Sequence, residues 1–387
     1  MNLAQALAAG TALGLERLDA QLLLLHALGR PDADRAWLVA HDTDALDEPT
    51  AAAFLSLCQR RAAAEPLAYL VGHKEFFGLD LKVDARVLVP RPDTETLVGW
   101  ALEILGCHPG RDPGSKPPAP GCHPGLDPGS TSPAPSGHPG RDPASTPPPP
   151  GCHPGLDPGS TSRAAWIADQ VRNDSLMDQA RNDSPAQQVR SDSLAGQVGN
   201  DSVAAQVLDL GTGSGAIALA IKKHLPGAFV EAVDVSAEAL EVAIGNAKSL
   251  SLQVEFRQAC WLAGTRSRYD LIVSNPPYVA QGDAHLPDLR HEPAQALEAG
   301  PDGLREIRKI ISQAPGHLRN GGWLLLEHGW DQAPAVRALL EAAGFGGVQS
   351  RRDLAGIERC SGGKRLETGI IDPNMTGNGT EWRYTHE

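Results

Sequence analysis

The feature that most constrains the fold of this chain is a buried strand that runs into a glycine-rich loop and then into a helix. The strand covers residues 206–210, the helix begins at Ala216, and the loop between them reads Gly211-Thr212-Gly213-Ser214-Gly215. Glycines let the backbone turn tightly and approach a ligand closely, and a helix N-terminus favours a carboxylate or a phosphate. The sequence therefore predicts a cofactor site at this loop.

Downstream of the loop, short apolar runs alternate with segments of helical spacing. The apolar runs cover residues 228–233, 253–257, 269–273, 323–326 and 347–351, and the helical segments cover residues 237–250, 304–318 and 335–343. This alternation is typical of an α/β protein with a doubly wound, Rossmann-like sheet. In such a sheet, ligands bind at the carboxyl ends of the strands.

The chain divides further by composition. Residues 1–66 carry leucines at helical spacing and predict a small helical domain, which either recognises a partner or serves as a structural cap. Residues 67–105 predict a hairpin linker and then a helix that Asp93 or Thr94 caps, with Glu95 in its first turn. Residues 204–362 are the predicted sheet domain, and residues 363–387 form a polar tail.

Residues 106–203 differ from both domains. His108, His123, His138 and His153 recur every fifteen residues in a Pro- and Gly-rich repeat, and Asp-Ser pairs then recur every nine residues. These units have no apolar face on which to stack, so we expect a disordered insertion rather than a solenoid. The Cys-His pairs in it lack Cys-x-x-Cys spacing, so we expect no metal site.

The overall charge and the cysteine pattern narrow the classes of function. The 387-residue chain carries a net charge of −13, which disfavours non-specific binding of nucleic acid. It shows neither a basic leader nor an apolar stretch long enough to span a bilayer, so we expect a cytoplasmic protein without membrane attachment. Its six cysteines form no disulfide framework, which fits a reducing compartment.

A second motif follows the apolar run that ends at Val273. The chain must turn at Ser274-Asn275-Pro276-Pro277-Tyr278, because two prolines can neither continue a strand nor start a helix. Asn275 and the Pro276 carbonyl can accept the two hydrogens of a planar nitrogen, and Tyr278 can pack on its π face. This suits methyl transfer by positioning and electrostatics, without a metal or a strong base. We predict Asn275, Pro276 and Tyr278 as catalytic, and these three with Pro277 as substrate-binding.

The predicted cofactor is S-adenosylmethionine. The glycine loop alone would also fit a dinucleotide, but a hydride-transfer enzyme has no evident use for the Asn275 motif. Asp234 ends the second strand and can bind ribose hydroxyls, unless it caps the next helix. Trp261 ends the third strand and can lie against adenine, unless it packs in the core. The predicted cofactor-binding residues are Gly211, Thr212, Gly213, Ser214, Gly215, Asp234, Trp261 and Asn275.

Together these motifs resemble the HemK-type methyltransferases, which modify the glutamine of the Gly-Gly-Gln motif in class I peptide chain release factors. The resemblance rests on residues 65–70, 75–78, 91–95, 209–215, 274–278 and 325–330. It implies a class I S-adenosylmethionine-dependent fold and methylation of the glutamine N5 in translation termination. It also implies a release factor as protein partner, docked in part by the helical domain, with no direct nucleic-acid contact. We expect a monomer.

Three features depart from the family pattern. Cys260 precedes the tryptophan where an acidic residue is usual, and the insertion is foreign to the family. After Arg359, the segment Cys360-Ser361-Gly362-Gly363 and a polar tail stand where the last strand should be completed, so we expect an incomplete strand at the sheet edge. Glu327-His328 could be an acid/base pair, but we expect a structural role at a strand end.

Three alternative functions stay open. The first is methylation of a ribosomal-protein glutamine, which the loop Arg91-Pro92-Asp93 makes less favourable than a release factor. The second is adenine-N6 DNA methylation, since the same tetrapeptide can hold a flipped base. The net negative charge of the chain and the lack of a basic or aromatic-rich target-recognition domain argue against DNA methylation. The third is an inactive binding module, disabled by the insertion and the altered C-terminus.

Deleting Cys107 to Ser202 and closing the gap with a short flexible linker should preserve solubility and turnover. A disordered insertion between a helix and a strand contributes no packing, and its removal shortens a loop at little cost. We expect the deletion variant and the full chain to transfer methyl groups at the same rate. A collapse in solubility or turnover would show that the insertion packs against the fold.

Overall fold

The computed structural model describes residues 1–106 and 204–366, so the predictions for residues 107–203 and 367–387 lie outside the described residues. The chain begins with α1 (Leu3–Ala12), α2 (Arg17–Ala27), a 3-10 turn (Asp32–Asp34), α3 (Arg35–Ala40), α4 (Glu48–Ala62) and α5 (Leu67–Val71). Asn2 and Asp47 cap α1 and α4 through their side chains. The helices share a core that includes Leu23, Phe54 and Leu70. Helical structure in this region is thus as expected.

A short hairpin joins the helices to the sheet. Strand β1 (His73–Phe76) pairs with antiparallel β2 (Leu79–Lys82), and Phe77 and Gly78 make the turn at positive φ. Asn246 clamps the hairpin, because its side chain accepts from the Lys82 backbone N–H at 2.8 Å and donates to the Lys82 carbonyl at 3.0 Å. Helix α6 (Thr94–Ile104) follows.

The second described part alternates strands and helices. The strands are β3 (Gln206–Leu210), β4 (Phe229–Asp234), β5 (Glu255–Gln258), β6 (Tyr269–Ser274), β7 (Leu318–Glu327), β8 (Phe345–Arg352) and β9 (Glu358–Arg365). The helices are α7 (Ala216–His224), α8 (Ala237–Ser249), α9 (Arg305–Gln313) and α10 (Ala333–Ala342), with 3-10 turns at Leu286–Leu289, Ala294–Ala296 and Ala314–Gly316.

These strands form one sheet in the order β5-β4-β3-β6-β7-β9-β8. All run parallel except β9, which is antiparallel to both neighbours. One core cluster lies on the face covered by α6, α7 and α8 and includes Leu97, Ile217 and Ala247. The other lies under α9 and α10 and includes Ile307 and Leu340. The predicted doubly wound, Rossmann-like α/β sheet is confirmed.

The expectation of an incomplete last strand at the sheet edge is wrong. Strand β9 continues through Cys360-Ser361-Gly362-Gly363 to Arg365, so the predicted domain boundary at residue 362 falls inside it. It lies between β7 and β8 and pairs with both. A side-chain carbon on Gly362 would clash with Leu325 and lie 3.0 Å from the Trp100 ring. Close packing of β9 against its neighbours therefore requires a residue without a side chain at position 362. Residues 360–363 had been expected to leave the strand incomplete.

The helix predicted over residues 304–318 is shorter than expected. Helix α9 ends at Gln313, and Leu318 is already the first residue of β7, which is longer than the predicted 323–326. Pro315 and Gly316 explain the early end, because proline lacks the backbone N–H and glycine disfavours a helix. Within residues 1–106 and 204–366, no helix has the length and apolar character that crossing a membrane requires.

Gly362→Ala should destabilise the fold by about 1–3 kcal/mol through overpacking. The added methyl group would clash with Leu325 and lie 2.6 Å from the Leu324 carbonyl. Gly99→Ala in α6 is the matched control, because nothing among the described residues lies within 4 Å of the added carbon and alanine favours a helix interior. Thermal denaturation should show a lower midpoint for the Gly362 variant alone. Equal midpoints would contradict the close packing of β9.

Candidate active site

The strand register places the residues that follow four neighbouring strands side by side at one edge of the sheet. Leu210 pairs with Val233 of β4 and with Ser274 of β6, and Ser274 pairs with Leu326 of β7. Neighbouring strands lie about 4.8 Å apart. The residues that follow these four therefore stand side by side at the carboxyl edge, and they are Gly211, Asp234, Asn275 and Glu327.

The glycine loop is tied to the end of β4. The backbone N–H groups of Gly211 and Thr212 donate to the Val233 carbonyl at 2.8 and 3.0 Å. The Gly213 N–H donates to Oδ2 of Asp234 at 2.9 Å. Gly211 and Gly213 have φ of +72° and +54°, a region that side chains disfavour. These contacts fix the loop between the end of β4 and the N-terminus of α7.

Asp209 supports the loop from inside the protein, and the sequence analysis did not select it. Its Oδ2 accepts from the Thr212 hydroxyl at 2.7 Å and from the Ala218 N–H at 3.2 Å. Among the described residues, its Oδ1 has no hydrogen-bond partner. Burial raises the pKa of Asp209 to about 7. The Thr212 side chain therefore faces inward, and the buried Ser214 accepts from Asn246 through its carbonyl at 2.9 Å.

Asp234 does not cap the helix that follows it. Ser236 occupies the N-cap of α8, and its hydroxyl accepts from the Ala239 N–H at 3.0 Å. Asp234 instead accepts from the backbone N–H of Ser236 at 2.9 Å and from that of Gly213. Its carboxylate is half-buried beside the glycine loop.

Trp261 lies between the glycine loop and the core. Its ring would be 3.3 Å from a side-chain carbon on Gly211, so the two residues approach each other closely. Its indole N–H donates to Oε2 of Glu306 at 2.9 Å, and its backbone has a φ of +51°. Part of the ring also packs against the core cluster under α9 and α10. Cys260, next to it, is an exposed thiol.

Asn275 and Tyr278 are linked through two buried residues. The Asn275 amide Nδ2 donates to the Thr94 hydroxyl at 3.2 Å, and the Tyr278 hydroxyl donates to Oε1 of Glu327 at 3.3 Å. The Thr94 hydroxyl also favours the charged form of Glu327 by hydrogen bonding, while burial raises the pKa of that carboxyl to about 7. Burial and the nearby Glu327 carboxylate raise the pKa of Tyr278 well above its usual range, so it remains a phenol.

The predicted side-chain cap of α6 is wrong. Asp93 occupies the N-cap, but its side chain caps no backbone N–H. Its carboxylate lies 3.1 Å from the buried guanidinium of Arg359 in β9, which also donates to Asp353 at 2.8 Å. Glu95 is in the first turn, as predicted, and accepts from the Phe77 N–H at 3.2 Å. The last strand thus holds the N-cap of α6, next to Thr94.

The backbone beyond the proline pair is fixed on both sides. Gln332 donates to the Tyr278 carbonyl at 3.0 Å, and that carbonyl lies so close to Gly303 that no side chain fits there. Arg91 forms an ion pair with Glu292, whose side chain is almost fully buried. Because Glu292 also accepts from the Val89 N–H at 3.2 Å, the segment after Tyr278 is joined to the loop before α6.

His328 has the structural role that was expected for it. Burial lowers its pKa to about 4, so the ring is neutral at physiological pH. It contacts the Gly329 carbonyl at 2.9 Å and the Ser361 hydroxyl at 2.8 Å. Ser361 lies 2.7 Å from Ser350, to which Arg337 donates. This chain of bonds joins the ends of β7, β8 and β9.

The fold and this edge of the sheet define a class I methyltransferase. A family model described as "Methyltransferase small domain" matches residues 191–329, and one described as "PrmC N-terminal domain" matches residues 2–72. The predicted cofactor, S-adenosylmethionine, is confirmed with the class. The residues present fit it, since the backbone of the glycine loop and the half-buried carboxylate of Asp234 lie side by side at the N-terminus of α7.

Relatives along the whole chain identify the family. Release factor glutamine methyltransferase from Bordetella pertussis is 40% identical over 90% of this chain and 95% of that protein. The protein of the same name from Xylella fastidiosa (strain Temecula1) is 37% identical over 93% of this chain and 97% of its own length. The protein of the same name from Vibrio cholerae is 33% identical over 90% of this chain and 89% of its own length. The chain belongs to the release factor glutamine methyltransferase family, which confirms the resemblance stated above.

Replacing Asp209 should change how stability depends on pH. Its pKa is about 7 in the folded state and about 3.9 in an unfolded chain. The folded state therefore binds more protons between these values, and the free energy of unfolding falls as pH rises from 4 to 7. The free energy of unfolding, measured by urea denaturation, should fall less between pH 5 and pH 8 for Asp209→Asn than for the unmodified protein.

Asp47→Asn is the matched control. The pKa of Asp47 is lowered by its hydrogen bonds to Thr50, so it is ionised at both pH values and its replacement shifts stability equally at each. If Asp209→Asn and the unmodified protein lost the same stability between pH 5 and pH 8, Asp209 would not be protonated in the folded state.

Proposed function

We propose that this chain transfers the methyl group of S-adenosylmethionine to the N5 amide nitrogen of the glutamine in the Gly-Gly-Gln motif of class I peptide chain release factors. The observation that carries the proposal is the position of Asn275. It stands in the same row as Gly211 and Asp234, and its Nδ2 is engaged by Thr94 at 3.2 Å. The amide oxygen is left to accept from a substrate.

In this proposal, the cofactor would lie beside Gly211 and Asp234 at the edge of the sheet. The backbone of Gly211 to Gly215 cradles it, Asp234 binds the ribose hydroxyls, and the Trp261 ring contacts adenine. Thr212 and Ser214 contribute backbone rather than side-chain contacts, because both side chains are buried. The group supplies an electrophilic methyl on a sulfonium. The half-buried Asp234 and the approach of Trp261 to Gly211 support this placement.

The substrate amide would lie beside the Asn275 motif, at the same edge of the sheet. Its nitrogen lone pair is delocalised, so the protein must hold the plane of the amide in line with the methyl group. Asn275 Oδ1 and the Pro276 carbonyl accept its two hydrogens, Pro277 fixes the turn, and the Tyr278 ring packs on the amide face. The hydrogen bond from Tyr278 to Glu327 and the one from Gln332 to the Tyr278 carbonyl support a rigid site.

The helical domain, residues 1–66, helps to dock the release factor. The segment after Tyr278 reaches this domain, because Arg290 and His291 both contact the Ala63 carbonyl at the end of α4. A protein that contacts the helices would thereby be held at a set position relative to Asn275. We further propose that the enzyme acts as a cytoplasmic monomer without contacting nucleic acid.

Asn275→Ala should reduce transfer of labelled methyl to a release factor by at least about a hundredfold, while cofactor affinity changes only several-fold. The substrate amide would lose the acceptor that positions it. Asn320→Ala, at an exposed position of β7, is the control and should behave like the unmodified enzyme. Single-turnover rates and equilibrium binding of the cofactor measure both quantities. Full activity of the Asn275 variant would contradict the proposed mechanism.

A further inference from the structure

A hydroxyl and a carboxylate are buried behind the Asn275 motif. Thr94, the first residue of α6, is 4% exposed, and Glu327, the last residue of β7, is 1% exposed. Thr94 is hydrogen-bonded to Asn275 of the motif, and Glu327 is hydrogen-bonded to Tyr278. Burying a carboxylate is costly unless polar groups compensate it. Its presence at this place therefore calls for a reason.

The hydrogen bonds behind the motif have a defined direction. Thr94 accepts from Nδ2 of Asn275 at 3.2 Å, and a hydroxyl has one proton of its own to donate. The Thr94 hydroxyl also favours the charged form of the Glu327 carboxyl. Tyr278 donates to Oε1 of the same carboxylate. Thr94 is thus the acceptor for the Asn275 amide and Glu327 the acceptor for the Tyr278 hydroxyl, while Oε2 of Glu327 has no hydrogen-bond partner among the described residues.

This direction determines which end of the Asn275 amide faces the substrate. An asparagine side chain can present either its oxygen or its nitrogen to a neighbour. The Asn275 nitrogen is the atom that faces the Thr94 hydroxyl, at 3.2 Å, so Thr94 is the acceptor of this bond. The oxygen then points away, where a substrate N–H needs an acceptor.

We propose that Thr94 and Glu327 are positioning residues that fix the amide orientation of Asn275 and the Tyr278 ring for methyl transfer. The inference rests on the proposed function, since only a substrate with N–H groups needs the Asn275 oxygen. Neither residue touches the reacting atoms. Each acts through the side chain in front of it.

The charge of Glu327 is set by its surroundings. Burial and Asp93 raise its pKa, whereas Thr94, Arg359 and Tyr278 lower it, with a net value of about 7. Cys360, its partner in β9, is a buried thiol whose own pKa is raised. When Glu327 is protonated at lower pH it can itself donate, and it becomes a weaker acceptor for the Tyr278 hydroxyl. Turnover should therefore fall as pH drops below about 7.

Four variants test the inference. Thr94→Val and Glu327→Gln should each lower kcat about tenfold, which corresponds to about 1.4 kcal/mol, with KM for the release factor and cofactor affinity within about threefold. Thr94→Ser keeps the hydroxyl and should retain kcat. Thr96→Val removes a hydroxyl from the same helix and should change nothing. Glu327→Gln should also flatten the fall in kcat at low pH.

An NMR measurement keeps the inference separate from the proposed function. The side-chain amide resonances of Asn275 should move in Thr94→Val and the ring resonances of Tyr278 in Glu327→Gln, and both should stay in place in Thr94→Ser and Thr96→Val. Unchanged resonances in the first two variants, or equal kcat losses in Thr94→Val and Thr94→Ser, would overturn the inference. An unmodified enzyme that leaves the release factor unmethylated would contradict the proposed function, while the resonances would still decide the role of Thr94 and Glu327.

Discussion

The common register of four parallel strands is the constraint on which the site depends. Since Leu210, Val233, Ser274 and Leu326 pair across the sheet, the residues after them must stand in one row. The Ser274 hydroxyl reinforces this register by donating to the Leu210 carbonyl at 2.7 Å. A shift of one residue in any strand would move its side chain to the other face and separate the cofactor loop from the Asn275 motif.

Two buried carboxylates, each beside a threonine, support the two halves of this row. Asp209 holds the glycine loop through Thr212, and Glu327 lies behind the Asn275 motif with Thr94. Burial raises the pKa of both to about 7, so both disfavour the folded state at neutral pH relative to exposed carboxylates. What they contribute instead is orientation. A donor-only or apolar residue could receive neither the Thr212 proton at position 209 nor the Tyr278 proton at position 327.

Much of the fold could be predicted from the sequence, because strand and helix periodicity and the glycine loop are local signals. The last strand could not, since the fit of Gly362 between Leu325 and Trp100 arises from residues far apart in the chain. The role of Thr94 was hidden for the same reason. Its sequence neighbours predict a helix cap, and only tertiary structure brings it to Asn275. Glu327 carried a visible signal, a carboxylate directly after an apolar strand, but nothing local linked it to Tyr278.

The intact β9 also bears on whether the chain is active. One reason to suspect a disabled enzyme, besides the insertion, was an incomplete last strand, whereas β9 is complete and its Arg359 holds Asp93 beside the site. The most direct measurement is transfer of labelled methyl from S-adenosylmethionine to a purified class I release factor, with a Gly-Gly-Ala variant of that factor alongside. The account predicts label on the Gly-Gly-Gln factor alone. Label on both factors, or on neither while the cofactor still binds, would contradict it.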